Sequence, residues 1–248
     1  MNNKRFYVFS GPATDADRPC GPRADNGRRC VLIGASPDIR GFEMIEPDDF
    51  VAVCDGGLGY AISHGIGFDL FVGDFDSYSG DIPPLTAETV TLPSEKDDTD
   101  TGYAASMLIG RGYRDFLLLG AAGGRFDHAL GNLSVGAAIA ENGGTCVICG
   151  RDPGEMIFIF RNRSLSLEPA EGAYVSVFPL GCASVKVTLE GFKYPLSHAT
   201  LRAGTTLGVS NEFAAFSVRS GERPHGPGEH GVITAESGTV MAVTAFYR

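Results

Sequence analysis

Two aspartates two residues apart, Asp74 and Asp76 in the run VGDFDS (72–77), stand where the apolar segment ending FDLF should finish as a strand. Ionised carboxylates so close repel, and each raises the other's pKa unless something positive lies between them. An acid just beyond an apolar run recurs three more times. CDGG (54–57) carries Asp55 and Gly56, SEKDDTD (94–100) carries Asp97, Asp98, Thr99 and Asp100, and GAAGGRFDHALGN (120–132) carries Asp127. In an open parallel sheet, ligands bind beyond the carboxyl ends of the strands. All four segments then fall on one edge, and residues scattered from 54 to 132 converge on one site. So many acids in one crevice repel strongly. A divalent cation relieves the repulsion, and oxygen ligands without a Cys–His cluster point to magnesium rather than zinc. The expectation is that Asp74 and Asp76 bracket Mg2+. The plainer alternative is a set of acidic turns that cap helices and face solvent.

The same segments hold groups suited to phosphate. Lys96 offers a point charge and Arg125 a bidentate fork. Gly120, Gly123 and Gly124 let backbone N–H groups approach an anion just before a helix N-terminus. Neither a Walker A loop nor a G-x-G-x-x-G fingerprint is present, so these residues do not identify the nucleotide. His128 falls in the first helical turn, where it either contacts ligand or lies on the helix as an ordinary imidazole. His64 and His198 receive no role. The absence of G-x-S-x-G removes the usual cue for an α/β-hydrolase.

The elements that must position these residues are legible as alternating strands and helices. Strand-like runs CVLIGA, DFVAVCDGG, FDLFVG, TVTLP, RDFLLLG and TCVICG are separated by helical patterns in LGYAISHGI, GYAASMLIGRG and DHALGNLSVGAAIAENGG. Such alternation implies parallel pairing and an α/β layer structure, Rossmann-like in organisation. After GRDPGE (150–155) the texture changes to short alternating runs: MIFIF, SLSLEP, YVSVFPL, SVKVTL, EFAAFSV and GTVMAVTAFY. That is the signature of a small C-terminal all-β sandwich or barrel. Residues 11–29 read as a loop rich in Gly, Pro, Arg and Asp. The expected organisation is an N-terminal extension and loop over 1–29, an α/β domain over 30–152 and a β-sandwich domain over 155–248.

Composition narrows the class. A formal charge of −10 and 43% hydrophobic residues describe a globular acidic chain, poorly suited to nucleic acid, which needs a clustered basic surface. No apolar run reaches the length of a membrane span. The N-terminal run MNNKRFYVFS is too short for a signal sequence, and the cytoplasm is the expected compartment. Of the six cysteines, Cys54, Cys146 and Cys149 lie in apolar strand-like runs and read as core residues. CVIC (146–149) has no second pair to complete a zinc site.

Taken together, CDGG, GDFDS, KDDTD and GAAGGRFDHALGN, in this order and spacing, resemble the thiamine pyrophosphokinase family. The resemblance covers roughly residues 30–150 and continues more weakly in GFKYPL (191–196) and GVSNEF (208–213). It implies an ATP-dependent enzyme that moves a pyrophosphoryl group to the hydroxyl of thiamine and leaves AMP. It also implies a homodimer, with thiamine held between the α/β domain of one chain and the sandwich of the other. By the resemblance, Asp55, Asp74, Asp76 and Asp100 surround magnesium and the β- and γ-phosphates. Lys96 and Arg125 contact phosphate, with Gly56, Ser77, Asp97, Thr99, Gly123, Gly124, Asp127 and His128 beside the nucleotide. Ser210, Asn211 and Asn132 fall to thiamine. One position departs from the pattern. The family's acidic run usually continues T-D-x-E, whereas here it reads Thr99-Asp100-Thr101-Gly102, which puts one ligand-positioning contact in question.

The residues fit that chemistry, because phosphoryl transfer needs positioning and charge neutralisation more than covalent participation. A carboxylate within reach of the acceptor hydroxyl would take its proton. Asp76 and Asp100 are both candidates, and the sequence does not rank them. Three rival readings remain open. One is a pyrophosphokinase for another alcohol, such as a hydroxymethylpterin. The second is a Mg2+-dependent phosphohydrolase with Asp74 as nucleophile, and the third is a nucleotide or thiamine sensor without turnover.

Overall fold

The computed structural model describes residues 6–11, 27–37, 39–74, 87–93, 97–214 and 230–246. Two compact units emerge, one ending at Arg151 and the other resuming at Asp152. The first strand, β1 (Tyr7–Ser10), belongs to the later unit although it opens the chain. The sequence predicts only an extension there. Its four residues are too few to show a period, but Tyr7 is buried and its ring meets Phe158 edge-on at 5.1 Å.

The α/β unit contains β2 (Cys30–Ile33), β3 (Phe50–Cys54), β4 (Leu70–Gly73), β5 (Glu88–Thr91), β6 (Asp115–Leu119) and β7 (Thr145–Cys149). Their order across the sheet is β7-β6-β2-β3-β4-β5, and every pairing within it is parallel. Strands covered on both faces read as continuous apolar runs rather than alternating ones. Accordingly CVLI, LFVG and the last four residues of FVAVC and DFLLL are buried throughout. The chain builds outward from β2 through β3, β4 and β5, then returns to place β6 on the other side of β2. Such a reversal of strand order leaves a crevice at the carboxyl ends, where ligands bind in this class of sheet.

Among the described residues, three α-helices accompany the strands: α1 (Gly57–Ser63), α2 (Asp100–Gly110) and α3 (Phe126–Glu141). Their buried positions are mostly small: Gly57 and Ala61; Gly102, Ala104 and Ala105; Gly136, Ala137 and Ala140. At Gly57 an added Cβ would run into the Ile33 carbonyl, so α1 starts in contact with β2. A buried pair anchors the amino end of the sheet. Arg29 forks onto Asp49 at 2.9 and 2.5 Å and also donates to the Met44 carbonyl.

The later unit is antiparallel, with β8 (Met156–Arg161), β9 (Ser164–Leu167), β10 (Ala173–Pro179), β11 (Ser184–Glu190), β12 (Leu196–Arg202), β13 (Asn211–Glu212), β14 (Gly231–Ser237) and β15 (Thr239–Phe246). One group of strands runs β1-β9-β14-β11-β12 and the other β13-β10-β15-β8. Alternation is clean in β10 and β11, where Val175, Val177, Val185, Val187 and Leu189 turn inward. The sequence reading missed β12 and β14. The inward set of β14 is Gly231, Ile233 and Ala235, so small residues hide its period. Strand β12 is an edge with a register shift opposite Thr188, and it carries His198 at φ 48. Of EFAAFSV, the described residues give the end of β13 and a bridge from Phe213 to Phe192. The rest of that run lies outside the described residues. No helix among the described residues is long and apolar enough to cross a membrane.

Candidate active site

Asp55 begins the site. It follows β3 directly, is 6% exposed and has φ 24, a conformation L-residues seldom hold without support. Its N–H donates to the Val72 carbonyl at 2.9 Å, which ties it to β4. Its side chain lies over Gly73: a Cβ there would sit 2.7 Å from Asp55 Cβ and 2.9 Å from Oδ1. Glycine at 73 is therefore what admits the carboxylate.

Beyond β2 and β6 two loops interlock. Gly34 N–H donates to the Leu119 carbonyl at 2.8 Å and Ser36 N–H to the Gly120 carbonyl at 2.9 Å. The Ser36 hydroxyl donates to the Gly123 carbonyl at 2.7 Å. Gly34 and Gly120 approach too closely for a side chain on either, and Gly120 has φ +62. These contacts hold the glycine-rich turn against the β2 loop just before α3 starts.

At the start of α2, the Thr99 hydroxyl accepts from Gly102 N–H at 3.1 Å as an N-cap, and the Asp98 carboxylate accepts from Thr99 N–H at 2.8 Å. A Cβ at Gly102 would collide with that Asp98 carboxylate. Asp100 opens the helix beside Cys54. Burial first, then the Asp100 charge and to a lesser degree that of Asp55, push the Cys54 thiol up to about 12, against a hydrogen bond with Thr101. Both carboxylates are thus near one protonated thiol.

A cavity of about 390 Å3 lies among these elements. It brings together Asp55, Gly56, Thr99, Asp100, Gly123, Arg125, His128 and Asn132 from the sequence reading. Asp74, Asp97, Gly124 and Asp127 lie outside the lining, and Asp76, Ser77 and Lys96 lie outside the described residues. Arg125 forks onto Asp127 at 2.6 and 3.1 Å on the surface. That hydrogen bond is the main reason the Asp127 carboxyl falls to about 2. Asn132 donates to the Ala121 carbonyl at 2.8 Å, bracing the turn from within α3. The sequence reading missed Gly34, Ala35, Ser36 and Pro37, which form one wall. They too follow a strand on the same edge, but carry no charge to draw attention.

The donor set suits a hard cation: the carboxylates are oxygen ligands and the one lining thiol is protonated. No three His, Cys, Asp or Glu among the described residues are grouped closely enough to hold an ion unaided. Magnesium commonly takes one or two carboxylates and completes its shell with water and substrate phosphates.

Ser210 and Asn211 belong to the antiparallel unit. Ser210 is exposed at φ 58, with its N–H on the Ser176 hydroxyl at 3.0 Å. Asn211 is 7% exposed, and its amide bonds to the main chain of Tyr194.

Comparison with known proteins identifies relatives of this chain. Residues 43–148 match the family profile "Thiamin pyrophosphokinase, catalytic domain", and residues 163–221 match "Thiamin pyrophosphokinase, vitamin B1 binding domain". A thiamine pyrophosphokinase of Bacillus subtilis is 31% identical over 146 residues, which span 56% of this chain and 67% of that protein. One from Oryza sativa is 26% identical over 164 residues, 61% of each chain. In fold, the crystal structure of thiamine pyrophosphokinase from Bacillus subtilis superposes with a TM-score of 0.73 at 21% identity, covering 89% of this chain and all of that one. The chain belongs to the thiamine pyrophosphokinase family.

Proposed function

We propose that this chain transfers the pyrophosphoryl group of ATP to the hydroxyl of thiamine, with Mg2+, giving thiamine diphosphate and AMP. The observation that carries the reading is the convergence of Asp55, Asp100, Arg125 and His128 on one cavity at the strand-order reversal. That cavity lies in the unit whose sequence matches the family's catalytic profile.

On this reading the α/β unit is the Rossmann-like nucleotide domain. The antiparallel unit is a sandwich that binds thiamine, a role supported by its vitamin B1 binding profile and by contacts of β14 with β8 and of β10 with β11 and β12. Asp55 and Asp100 hold the metal, joined by Asp74 and Asp76. Neutralising charge on the phosphate oxygens is the chemistry bound magnesium supplies. Arg125, released from Asp127, forks onto a phosphate together with Lys96. The backbone at Gly123 and Gly124 lets the triphosphate approach closely, and Ser77 and Asp97 border it. Asp76 or Asp100 takes the hydroxyl proton. The working form is a cytoplasmic homodimer in which thiamine bound by one chain meets the nucleotide of the other.

The test is direct: incubate the protein with magnesium, ATP and thiamine and follow the products by mass. Thiamine diphosphate and AMP in equal amounts, both lost when thiamine or magnesium is omitted, are expected. ADP and inorganic phosphate without thiamine diphosphate would replace the reading with a phosphohydrolase.

A further inference from the structure

Strand β7 delivers a further cation to the edge where the cavity opens. It ends at Cys149 beside β6, and two residues later Arg151 stands exposed. The stem of Arg151 lies along the glycine-rich turn that follows β6. A Cβ at Gly123 would sit 3.3 Å from Arg151 Cδ, 3.5 Å from its Cγ and 3.6 Å from its Cβ. Gly123 lines the cavity, so the guanidinium of Arg151 begins one bond beyond an atom packed on the cavity wall.

The position of Arg151 is built by its neighbours. Gly41 is buried at φ 88, and a Cβ there would lie 2.9 Å from Cys149 Sγ and 2.9 Å from Leu119 Cδ2. Glycine lets the chain settle in this left-handed conformation directly on the ends of β6 and β7. Arg40 is thereby brought to the loop after β7, where its Nε donates to the Arg151 carbonyl at 2.8 Å. The Ser36 hydroxyl and the Pro37 ring hold Gly123 and Gly124 in turn. Arg125, next along the turn, is already engaged with Asp127, while Asp55 and Asp100 line the same cavity. A polyphosphate entering there meets two carboxylates and an arginine shared with a third, so a second guanidinium offsets charge that Arg125 alone does not.

We propose that Arg151 binds the polyphosphate of the nucleotide from over Gly123, as a partner to Arg125, and that Arg40 is a positioning residue acting through the Arg151 main chain. The inference rests on the nucleotide occupying this cavity, as proposed above. A guanidinium suits the task, because its planar fork takes two phosphate oxygens at once and its charge does not titrate in the working range.

The experiment separates the charge of Arg151 from its stem. R151M keeps an unbranched stem over Gly123 without the charge. It should raise the KM for ATP about tenfold, the usual worth of a charge-assisted hydrogen bond, and leave the KM for thiamine and kcat near wild type. R151K should restore the KM for ATP to within about threefold of wild type. R40A should raise the same KM by a smaller factor, and R40A/R151M should be no worse than R151M, because both act on one contact. An ATP KM for R151M within about twofold of wild type would overturn the proposal and leave Arg151 a packing residue. A thiamine KM that rises as far as the ATP KM would overturn it too, as general damage to the site. Calorimetry without thiamine gives a second reading that needs no turnover. Magnesium tripolyphosphate and Mg·ATP should both bind R151M more weakly, by the same factor. A loss confined to ATP would move the contact to the nucleoside and overturn the phosphate role. Wild-type protein that binds ATP but forms no thiamine diphosphate removes the reaction and leaves the calorimetric comparison to decide Arg151. Wild-type protein that binds neither ligand overturns the inference.

Discussion

Gly73→Ala tests how the acidic site is assembled, because it adds one methyl group and changes no charge. The backbone at 73 is in a strand and tolerates alanine. The obstacle is Asp55, whose Cβ would lie 2.7 Å and Cα 2.9 Å from the new methyl. Carbon atoms settle at about 3.5–4.0 Å, so Asp55 must retreat by roughly 1 Å. Asp55 has little room to do so, being 6% exposed and tied through its N–H to Val72. Overpacking of this kind costs about 1–3 kcal/mol of stability. A displacement of about 1 Å at a reacting centre costs on the order of 100-fold in rate. We therefore expect G73A to fold, with a lowered urea midpoint, and to form thiamine diphosphate about 100-fold more slowly than wild type. Gly67→Ala is the control, since a Cβ there meets nothing within 4 Å. Its activity and midpoint should match wild type. Activity of G73A within about threefold of wild type would refute a fixed Asp55 as part of the site.

Three further outcomes follow from the geometry. Asp49→Ala leaves Arg29 charged and buried without its fork, and should cost about 3–5 kcal/mol in urea unfolding; a loss below about 1 kcal/mol would count against that pairing as a structural clamp. Cys54, with its thiol at about 12, should resist iodoacetamide at pH 8 in the folded protein, where roughly one thiol in 10,000 is ionised, and peptide mapping that finds it labelled as fast as Cys182 would refute its burial beside Asp100. The Asp127 carboxyl lies at about 2 against an ordinary 3.8, so its ion pair is complete above the ordinary value and is lost only as pH falls through about 2. NMR titration should accordingly find Asp127 ionised throughout the neutral range, and a midpoint above 4 would break the pairing with Arg125.

The sequence by itself determined the parts whose signals are local. Continuous apolar runs marked β2, β3, β4, β6 and β7, because a doubly covered parallel strand must be apolar on both faces. Acids and glycines placed just after those runs marked most of the cavity, since connecting turns at one sheet edge converge wherever the strands lie parallel. Where inward residues are small or few, as in β14, β12 and β1, no period survives in the composition, and only pairing with neighbours defines the strand. Pairwise facts were equally out of reach. That Arg125 rests on Asp127, that Asp98 fills the space above Gly102, and that the Asn211 amide is spent on Tyr194 depend on distances between side chains. A residue's type lists the bonds it can make; only the fold decides which partner arrives first and what remains for a ligand.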